Sequence, residues 1–164
     1  MPGDSQCVTI QRIGSEYLLE TQVELAASVE AVFPFFADVA NLEELTPAYL
    51  HFQILTQTPL EIGSGTLVDY RLRLRGIPLR WRTEISEWEP PRRFVDRQLQ
   101  GPYKLWVHEH RFQPTAHGTL VVDRVRYVPP LGFLTNRLLV APDLRRIFKY
   151  RRDVMKRRWG TPNS

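Results

Sequence analysis

The sequence has a single cysteine, Cys7, and no apolar run close to the roughly 20 residues that a membrane-spanning helix needs. One cysteine excludes an intrachain disulfide and a metal site built from several thiolates. The first residues show neither the basic start nor the apolar stretch of a secretory signal, so we expect a cytoplasmic location. Nucleophile-elbow, phosphate-loop and dinucleotide-binding fingerprints are also missing, which leaves no standard catalytic motif to assign.

The positive charge is concentrated at one end of the chain. Residues 1–130 hold 13 basic and 16 acidic side chains, whereas residues 131–164 hold 9 and 2. Such a basic segment is either the solvated face of a helix or a transient contact for an anionic membrane or nucleic acid. No nucleic-acid partner is expected, because the segment contains no recognisable nucleic-acid-binding module.

The length of 164 residues fits a single domain, 1–164, with a core over about 17–159, and residues 1–16 and 160–164 are expected to lie outside that core as mobile ends. Alternating apolar and polar residues predict a first strand from Tyr17 to Leu25. Two short helices follow, for which Ser28 and Asn41 are the predicted N-terminal caps.

Six further strands, joined by short turns, predict an antiparallel meander. They are expected at about 49–56, 66–75, 77–88, 92–100, 103–113 and 118–128. Beyond Pro130 the pattern changes to that of a long amphipathic helix, and Pro142 fits the first turn of a fresh helical segment. Its apolar stripe is expected to pack on the concave face of the sheet, and comprises Leu134, Leu138, Leu144, Ile147, Phe148, Met155 and Trp159.

Three successive predicted strands place polar, proton-exchanging side chains on one face. In the stretches 94–98, 106–112 and 121–127 the arginines and Glu109 share one parity and should face water. The opposite parity carries Phe94, Asp96, Gln98, Trp106, His108, His110, Phe112, Val121, Asp123, Val125 and Tyr127. A purely structural core would not hold two histidines and two aspartates, so this pattern favours a lined cavity.

The order of elements and several local motifs resemble the SRPBCC superfamily, which includes START domains and the birch-pollen allergen. Within it, the chain is most similar to bacterial ligand-binding proteins near the polyketide cyclase/dehydrase family. The motifs that carry the resemblance include 33–38, 41–47, 81–83, 94–98, 101–103, 106–112 and 127–129. The resemblance implies an α+β helix-grip fold, in which a curved antiparallel sheet of about seven strands wraps around a long C-terminal helix.

The resemblance also implies a pocket between sheet and helix for a hydrophobic small molecule, such as a lipid or an aromatic polyketide, to be bound, transported or sensed. No cofactor is expected. The candidate ligand-binding residues are Tyr70, Trp81, Phe94, Asp96, Gln98, Trp106, His108, His110, Phe112, Asp123 and Tyr127.

The four polar candidates Asp96, His108, His110 and Asp123 allow more than one role. A histidine oriented by an aspartate moves protons near neutral pH, as an aromatase/cyclase or dehydratase requires. The same groups also fit a buried hydrogen-bonded network that locks the strand register. A metal site is not expected, because zinc needs a third clear ligand that the pattern does not supply.

Overall fold

The computed structural model describes residues 8–162, which form one antiparallel sheet of eight strands with helices on its concave side. The sheet order is β1-β2-β8-β7-β6-β5-β4-β3. The strands are β1 (Thr9–Ile13), β2 (Glu16–Leu25), β3 (Gln53–Ile54), β4 (Leu67–Leu74), β5 (Ile77–Glu89), β6 (Arg93–Gln100), β7 (Leu105–Thr115) and β8 (Gly118–Val128). Strands β3 to β8 follow one another as the predicted meander. Strand β2 pairs with β8 on the other side, and β1 forms the edge beyond β2.

Two features shape the sheet around its contents. Arg75 and Gly76 both have positive φ, at 50° and 81°, which is the geometry of a tight two-residue hairpin between β4 and β5. The pairing of β5 with β6 slips between Arg82 and Thr83 and again between Ile85 and Glu87. Such irregularities bend a strand and increase its twist, which helps the sheet to curve.

The helical segments lie between β2 and β3 and after β8. They are α1 (Val29–Phe36), 3₁₀ turns at Val39–Leu42 and Ala48–Leu50, α2 (Phe133–Thr135), a π-helical turn at Asn136–Val140 and α3 (Ala141–Trp159). Pro142 lies in the first turn of α3, as predicted. The helix-grip fold is confirmed, with α3 as the long C-terminal helix.

The strand count differs from the sequence-based expectation of about seven. Strand β1 lies within the segment 1–16 that was expected outside the core, while residues 1–7, including Cys7, lie outside the described residues. The strand predicted over 49–56 is present but much shorter: a 3₁₀ turn over Ala48–Leu50 is followed by His51, whose φ of 46° breaks the extended backbone, and just two residues pair as β3. That His51 conformation is uncommon for a residue with a side chain.

The predicted N-terminal caps have mixed outcomes. Ser28 occupies the N-cap position of α1 with an extended backbone, but its side chain makes no capping hydrogen bond. Asn41 does not cap a helix. It lies inside a 3₁₀ turn, which Asp38 caps by accepting a hydrogen bond from the amide of Ala40 at 2.9 Å.

The core divides into two apolar clusters on the concave face. In one, the ring of Phe33 from α1 packs edge-on against Phe112 and Phe94 at 5.2 and 6.3 Å, near Met155 of α3. The other gathers Leu19, Val125, Tyr127, Leu144 and Phe148. Complete burial of one such apolar side chain contributes about 1.5–3 kcal/mol.

The predicted apolar stripe of the terminal helix holds for α3 but not before it. Leu144, Phe148 and Met155 are buried, whereas Leu134 and Leu138 are 64% and 60% exposed. The sequence prediction extends one regular helical spacing through both segments. The π-helical turn before α3 breaks that periodicity, and the leucines ahead of α3 face outward.

Candidate functional site

A divided cavity lies between the concave face of the sheet, the segment from α1 to the first 3₁₀ turn, and α3. Its two adjoining compartments have volumes of about 140 and 150 Å³. Six residues line both compartments: Leu42, Leu45, Tyr70, Trp106, His108 and Arg151. An apolar cavity of about 150 Å³ takes up a molecule the size of benzene. Each compartment therefore suits one ring or a short length of acyl chain.

Three adjacent strands, β6, β7 and β8, place four polar side chains at one side of the first compartment. His108 and His110 are two residues apart on β7, so both point to the concave face. The strand register sets Asp96 of β6 opposite His108, and Asp123 of β8 opposite His110. Both histidines and Asp123 are buried, and Asp96 is partly buried.

Short hydrogen bonds connect the four groups into one cluster. His108 Nε2 lies 2.9 Å from Asp123 Oδ1, and His110 Nε2 lies 2.7 Å from Asp96 Oδ2. The other ring nitrogen of His110, Nδ1, is 3.1 Å from Asp123 Oδ1. The centroids of the two imidazole rings lie 3.7 Å apart with the ring planes tilted by 33°, and Phe94 stacks on His110 at 4.1 Å. The rings are thus fixed from several sides.

A fifth member of the cluster, Arg151, comes from α3. Its Nε donates to Asp123 Oδ2 at 3.2 Å, and its guanidinium lies 5.3 Å from the ring centre of Phe36. Arg151 is buried and also lines both compartments. A buried carboxylate such as Asp123 needs a charged partner, and Arg151 supplies it.

The two histidines respond in opposite ways to this environment. Burial, together with the charge of His110, lowers the pKa of His108. Burial also opposes protonation of His110, but hydrogen bonds to Asp123 and Asp96 outweigh it and raise the pKa of His110. Against the cost of burial, the charge of Arg151 and the hydrogen bonds of both histidines hold the pKa of Asp123 well below its usual range. The pKa of Asp96 is lowered despite burial, mainly by its hydrogen bond with His110.

The geometry of the partners favours a cluster with balanced charge. Two carboxylates face one guanidinium and one imidazolium, that of His110, both of whose ring nitrogens lie beside carboxylate oxygens. Arg151 Nη2 also lies 3.3 Å from His110 Nδ1, but a protonated Nδ1 donates to Asp123, so we assign the arginine bond to Asp123.

A neutral His108 leaves one ring nitrogen available. Its Nε2–H donates to Asp123, so Nδ1 carries a lone pair. This Nδ1 is 3.8 Å from Asp96 Oδ2, beyond hydrogen-bond distance. Because the His108 side chain lines both compartments, the cavity has an imidazole that can accept a proton or a hydrogen bond.

Aromatic side chains form the wall of the second compartment. Trp81 stacks on Tyr70 at 5.9 Å and meets Trp106 edge-on at 5.4 Å, and Tyr103 lies 5.6 Å from Trp81. Burial raises the pKa of Tyr70 and of Tyr103, so both phenols stay protonated. Among the described residues, the buried indole N–H of Trp81 has no hydrogen-bond partner. A buried donor without a partner costs about 1–3 kcal/mol, and a ligand with an acceptor atom would recover it.

Seven of the eleven candidate ligand-binding residues line the cavity: Tyr70, Trp81, Phe94, Asp96, Trp106, His108 and His110. The other four support its walls. Asp123 holds the histidine pair from behind, and Phe112 packs against Phe33. The side-chain amide of Gln98 donates to the backbone carbonyl of Tyr103 at 2.7 Å and accepts from the backbone N–H of Tyr103 at 3.2 Å.

The fourth supporting residue is Tyr127, whose hydroxyl forms a hydrogen bond with the helical segment that precedes α3. It donates to Oδ1 of Asn136 at 3.0 Å, and both residues are buried. Burial raises the pKa of Tyr127 to about 12, so this phenol remains a donor.

Arg151 is the site residue that sequence reasoning missed. An arginine in a strongly basic segment ordinarily belongs to a solvated face, and the residue type alone gives no sign of burial. Its spacing carried the signal, because Leu144, Phe148, Arg151 and Met155 follow one another at intervals of four, three and four residues, along the buried stripe of α3. An arginine at such a position needs a buried acidic partner.

A metal ion fits this cluster poorly. Ligand atoms of Asp96, His108 and His110 lie within 4.8 Å of one another, which is close enough for shared coordination. Both ring nitrogens of His110 and Oδ2 of Asp96, however, are engaged in the bonds described above, and the guanidinium of Arg151 already balances the carboxylate of Asp123. A cation would face the positive charges of Arg151 and His110, so the donor set favours a proton-sharing cluster over a metal centre.

The family can be assigned from a sequence match over most of the chain. Residues 18–159 match the family model described as polyketide cyclase / dehydrase and lipid transport. The chain belongs to this family. It is thereby a member of the SRPBCC superfamily, as its motifs indicated. The family supports hydrophobic ligand binding or polyketide processing and does not choose between them. No curated protein matches the sequence.

Solved structures of similar fold come from distant organisms. TTHA0849 from Thermus thermophilus is 19% identical, with a TM-score of 0.66 over 87% of this chain and 95% of that one. Ginseng major latex-like protein 151 from Panax ginseng is 15% identical, with a TM-score of 0.64 over 88% and 98%. The Zhui aromatase/cyclase from a Streptomyces species is 20% identical, with a TM-score of 0.57 over 87% and 86%. At these identities the likeness shows the fold alone.

Proposed function

We propose that the protein binds a hydrophobic small molecule of about two fused rings, or an acyl chain of similar volume, in the divided cavity. The observation that carries this proposal is the pair of adjoining compartments, each large enough for one ring. Aromatic walls supply apolar and stacking contacts, and the cluster at the floor offers a hydrogen-bond acceptor in His108.

Two polar groups set the chemistry of the proposed ligand. The unpartnered N–H of Trp81 selects for an acceptor such as a carbonyl, while the free Nδ1 of His108 selects for a hydroxyl. Since both residues line the second compartment, the ligand would carry such groups on or near one ring. A hydroxylated or keto-substituted aromatic satisfies both and fits the aromatic walls.

Calorimetric titration with 2-naphthol, a fused bicycle with one hydroxyl, tests the binding proposal. Leu42 lines both compartments and is half-buried, so Leu42→Trp should fill the space between them and abolish the heat of binding. Leu67→Trp is the matched control, because Leu67 is 45% exposed at the far end of β4 and lines neither compartment. Equal binding by wild type and Leu42→Trp would contradict the proposed site.

A second candidate function, acid–base catalysis, rests on the free Nδ1 of His108. A neutral imidazole held by a carboxylate can take the proton from a carbon between two carbonyl groups. That carbon attacks a ketone carbon of the same chain, and the imidazolium gives its proton to the resulting alkoxide. The imidazole then takes the second proton from the attacking carbon and passes it to the new hydroxyl, so that water leaves and a ring double bond forms, after which the remaining ketones enolise to give the aromatic ring. Asp123 would keep His108 in the required tautomer, and His110 would supply positive charge beside it.

Catalysis is tested with a linear poly-β-ketone as substrate. His108→Gln should abolish formation of the cyclised, dehydrated product, whereas it should weaken 2-naphthol binding by no more than the loss of one hydrogen bond, about 0.5–1.5 kcal/mol. His117→Gln is the control, since that histidine lies exposed in the turn before β8. If His108→Gln forms the product at the wild-type rate, the enzyme proposal fails and the binding proposal is untouched.

A further inference from the structure

An exposed apolar patch precedes α3, and neither the family nor the cavity accounts for it. Five of the nine residues from 131 to 139 are large apolar side chains with exposures of 42% to 86%: Leu131, Phe133, Leu134, Leu138 and Leu139. Single exposed apolar residues are ordinary, but a contiguous cluster marks an interaction site. We call these five residues the Leu131–Leu139 patch.

The patch belongs to an ordered part of the fold. Asn136, within the patch, is buried, and its side-chain oxygen accepts a hydrogen bond from the hydroxyl of Tyr127 on β8. Its backbone N–H donates to the carbonyl of Gly132 at 3.1 Å. The guanidinium of Arg12 on β1 lies 6.0 Å from the ring centre of Phe133. The contacts fix the backbone, so the outward direction of the leucines is a property of the fold.

Exposed basic side chains lie within the patch and on the turns of α3 that follow it. Arg137 lies within it, and Arg145, Arg146 and Lys149 are exposed on the first half of α3. The nearby Asp143 is paired with Arg75 of the β4–β5 hairpin at 3.0 Å. An apolar surface with a basic border complements the headgroup and acyl boundary of an anionic lipid bilayer.

We propose that the Leu131–Leu139 patch docks the protein onto the surface of an anionic lipid bilayer. The five apolar side chains would enter the acyl boundary, and the arginines would lie at the level of the phosphates. None of the helices among the described residues is long and apolar enough to cross a membrane, and the docking needs no such helix. This places the contact ahead of α3 rather than along it, where Arg151 and Arg152 are buried.

The patch lies close to the cavity, which links this proposal to the proposed ligand-binding function. Leu144 and Ile147, in the first two turns of α3, line the second compartment. Docking at the start of α3 would therefore hold this compartment near the bilayer, where a hydrophobic ligand resides. The link rests on the proposed function, while the docking itself depends on the surface alone.

Other occupants fit this surface less well. In a two-fold dimer through the patch, Arg137 and its basic neighbours would face their own copies, and like charges repel. A nucleic acid would pair with the arginines but leave five apolar side chains against phosphates and sugars. The bilayer matches both the apolar and the basic parts.

Vesicle sedimentation tests the docking with the full chain. Wild type should sediment with vesicles of phosphatidylcholine and phosphatidylglycerol at low salt, and less at high salt or with phosphatidylcholine alone. Leu134→Ser/Leu138→Ser should lower the partition coefficient at least about ten-fold. Leu67→Ser, an exposed leucine at the far end of β4, is the control and should sediment as wild type.

The charged border is tested by Arg137→Gln, which should lower partitioning about five-fold at low salt. Arg92→Gln is its control, because Arg92 is exposed at the β5–β6 turn, the end of β5 opposite the β4–β5 hairpin. The proposal is overturned if the wild-type protein does not sediment with anionic vesicles, or if the double serine variant sediments as wild type does. It is also overturned if light scattering shows a wild-type dimer that the double serine variant does not form. In each case 2-naphthol calorimetry on the same samples shows independently whether the cavity binds.

Discussion

The rings of His108 and His110 lie with centroids 3.7 Å apart, yet their surroundings shift the two pKa values in opposite directions. The difference arises from their partners. Both nitrogens of His110 face carboxylate oxygens, whereas His108 has one carboxylate at hydrogen-bond distance and a charged neighbour in His110. One positive charge on the two adjacent imidazoles, together with that of Arg151, balances the charges of Asp96 and Asp123, which suits a site beside an apolar cavity.

Nitrogen-15 NMR of the imidazoles tests this assignment. In a His51→Gln/His117→Gln background two of the four histidines remain. At pH 7 we expect His110 to carry protons on both nitrogens, and His108 to carry one, on Nε2. Two neutral rings, or a charged His108 beside a neutral His110, would contradict the account of the cluster.

The raised pKa of His110 also predicts how stability depends on pH. A group whose pKa is higher in the folded state stabilises the fold fully below its unfolded pKa of about 6.5, and this contribution disappears as pH rises through the folded value. The difference in free energy of unfolding between wild type and His110→Gln should therefore be largest in acid and decrease at higher pH. Urea unfolding at a series of pH values measures it, and a difference that increases with pH would be the opposite of what we expect.

Removal of Arg151 should destabilise the protein strongly. Arg151→Met leaves the buried carboxylate of Asp123 without its guanidinium, which costs about 3–5 kcal/mol in buried pairs. Arg157→Met, an exposed arginine on the same helix, should change the free energy of unfolding by less than about 0.5 kcal/mol.

The double variant Asp123→Asn/Arg151→Met provides the companion measurement. With the carboxylate neutralised, the loss of Arg151 should cost less than it does in wild type, so the two changes should not be additive. Additive costs would show that Arg151 stabilises α3 by packing and does not act on Asp123.

Tyr127→Phe should cost about 1–3 kcal/mol, because it leaves the buried amide oxygen of Asn136 without a donor. Tyr49→Phe, at a residue that is 48% exposed, provides the comparison in the same urea experiment. Because Asn136 anchors the Leu131–Leu139 patch, Tyr127→Phe should also weaken vesicle binding. A variant as stable as wild type would remove this anchor from the account.

The parts of the fold with strong periodicity were predictable from the sequence. Strict alternation in 66–75 placed Val68 and Leu72 inward, and the inward set on β7 and β8 included His108, His110 and Asp123, all of which are buried. Alternation determines the face of a strand but not what a side chain meets there. Gln98 and Tyr127 were therefore expected as cavity groups, and they bond to neighbouring segments of the chain.

The remaining features depend on how distant segments of the chain pack together, which sequence periodicity does not show. From its charge alone Arg151 is expected to face water. It is buried because α3 packs against the sheet beside Asp123, which pairs with it. Leu134 and Leu138 continued an apolar spacing, but a π-helical turn separates them from α3. That the chain forms one domain over 1–164 stays a prediction.

The central claim, a cavity that binds a small hydrophobic ligand, is tested most directly by NMR of the four tryptophan indole N–H groups. On titration with 2-naphthol, the signals of Trp81 and Trp106 should move and saturate at one ligand per chain. Trp159, which lines neither compartment, should stay in place. No movement of Trp81 and Trp106 up to the solubility limit, or movement of Trp159 alone, would contradict the account.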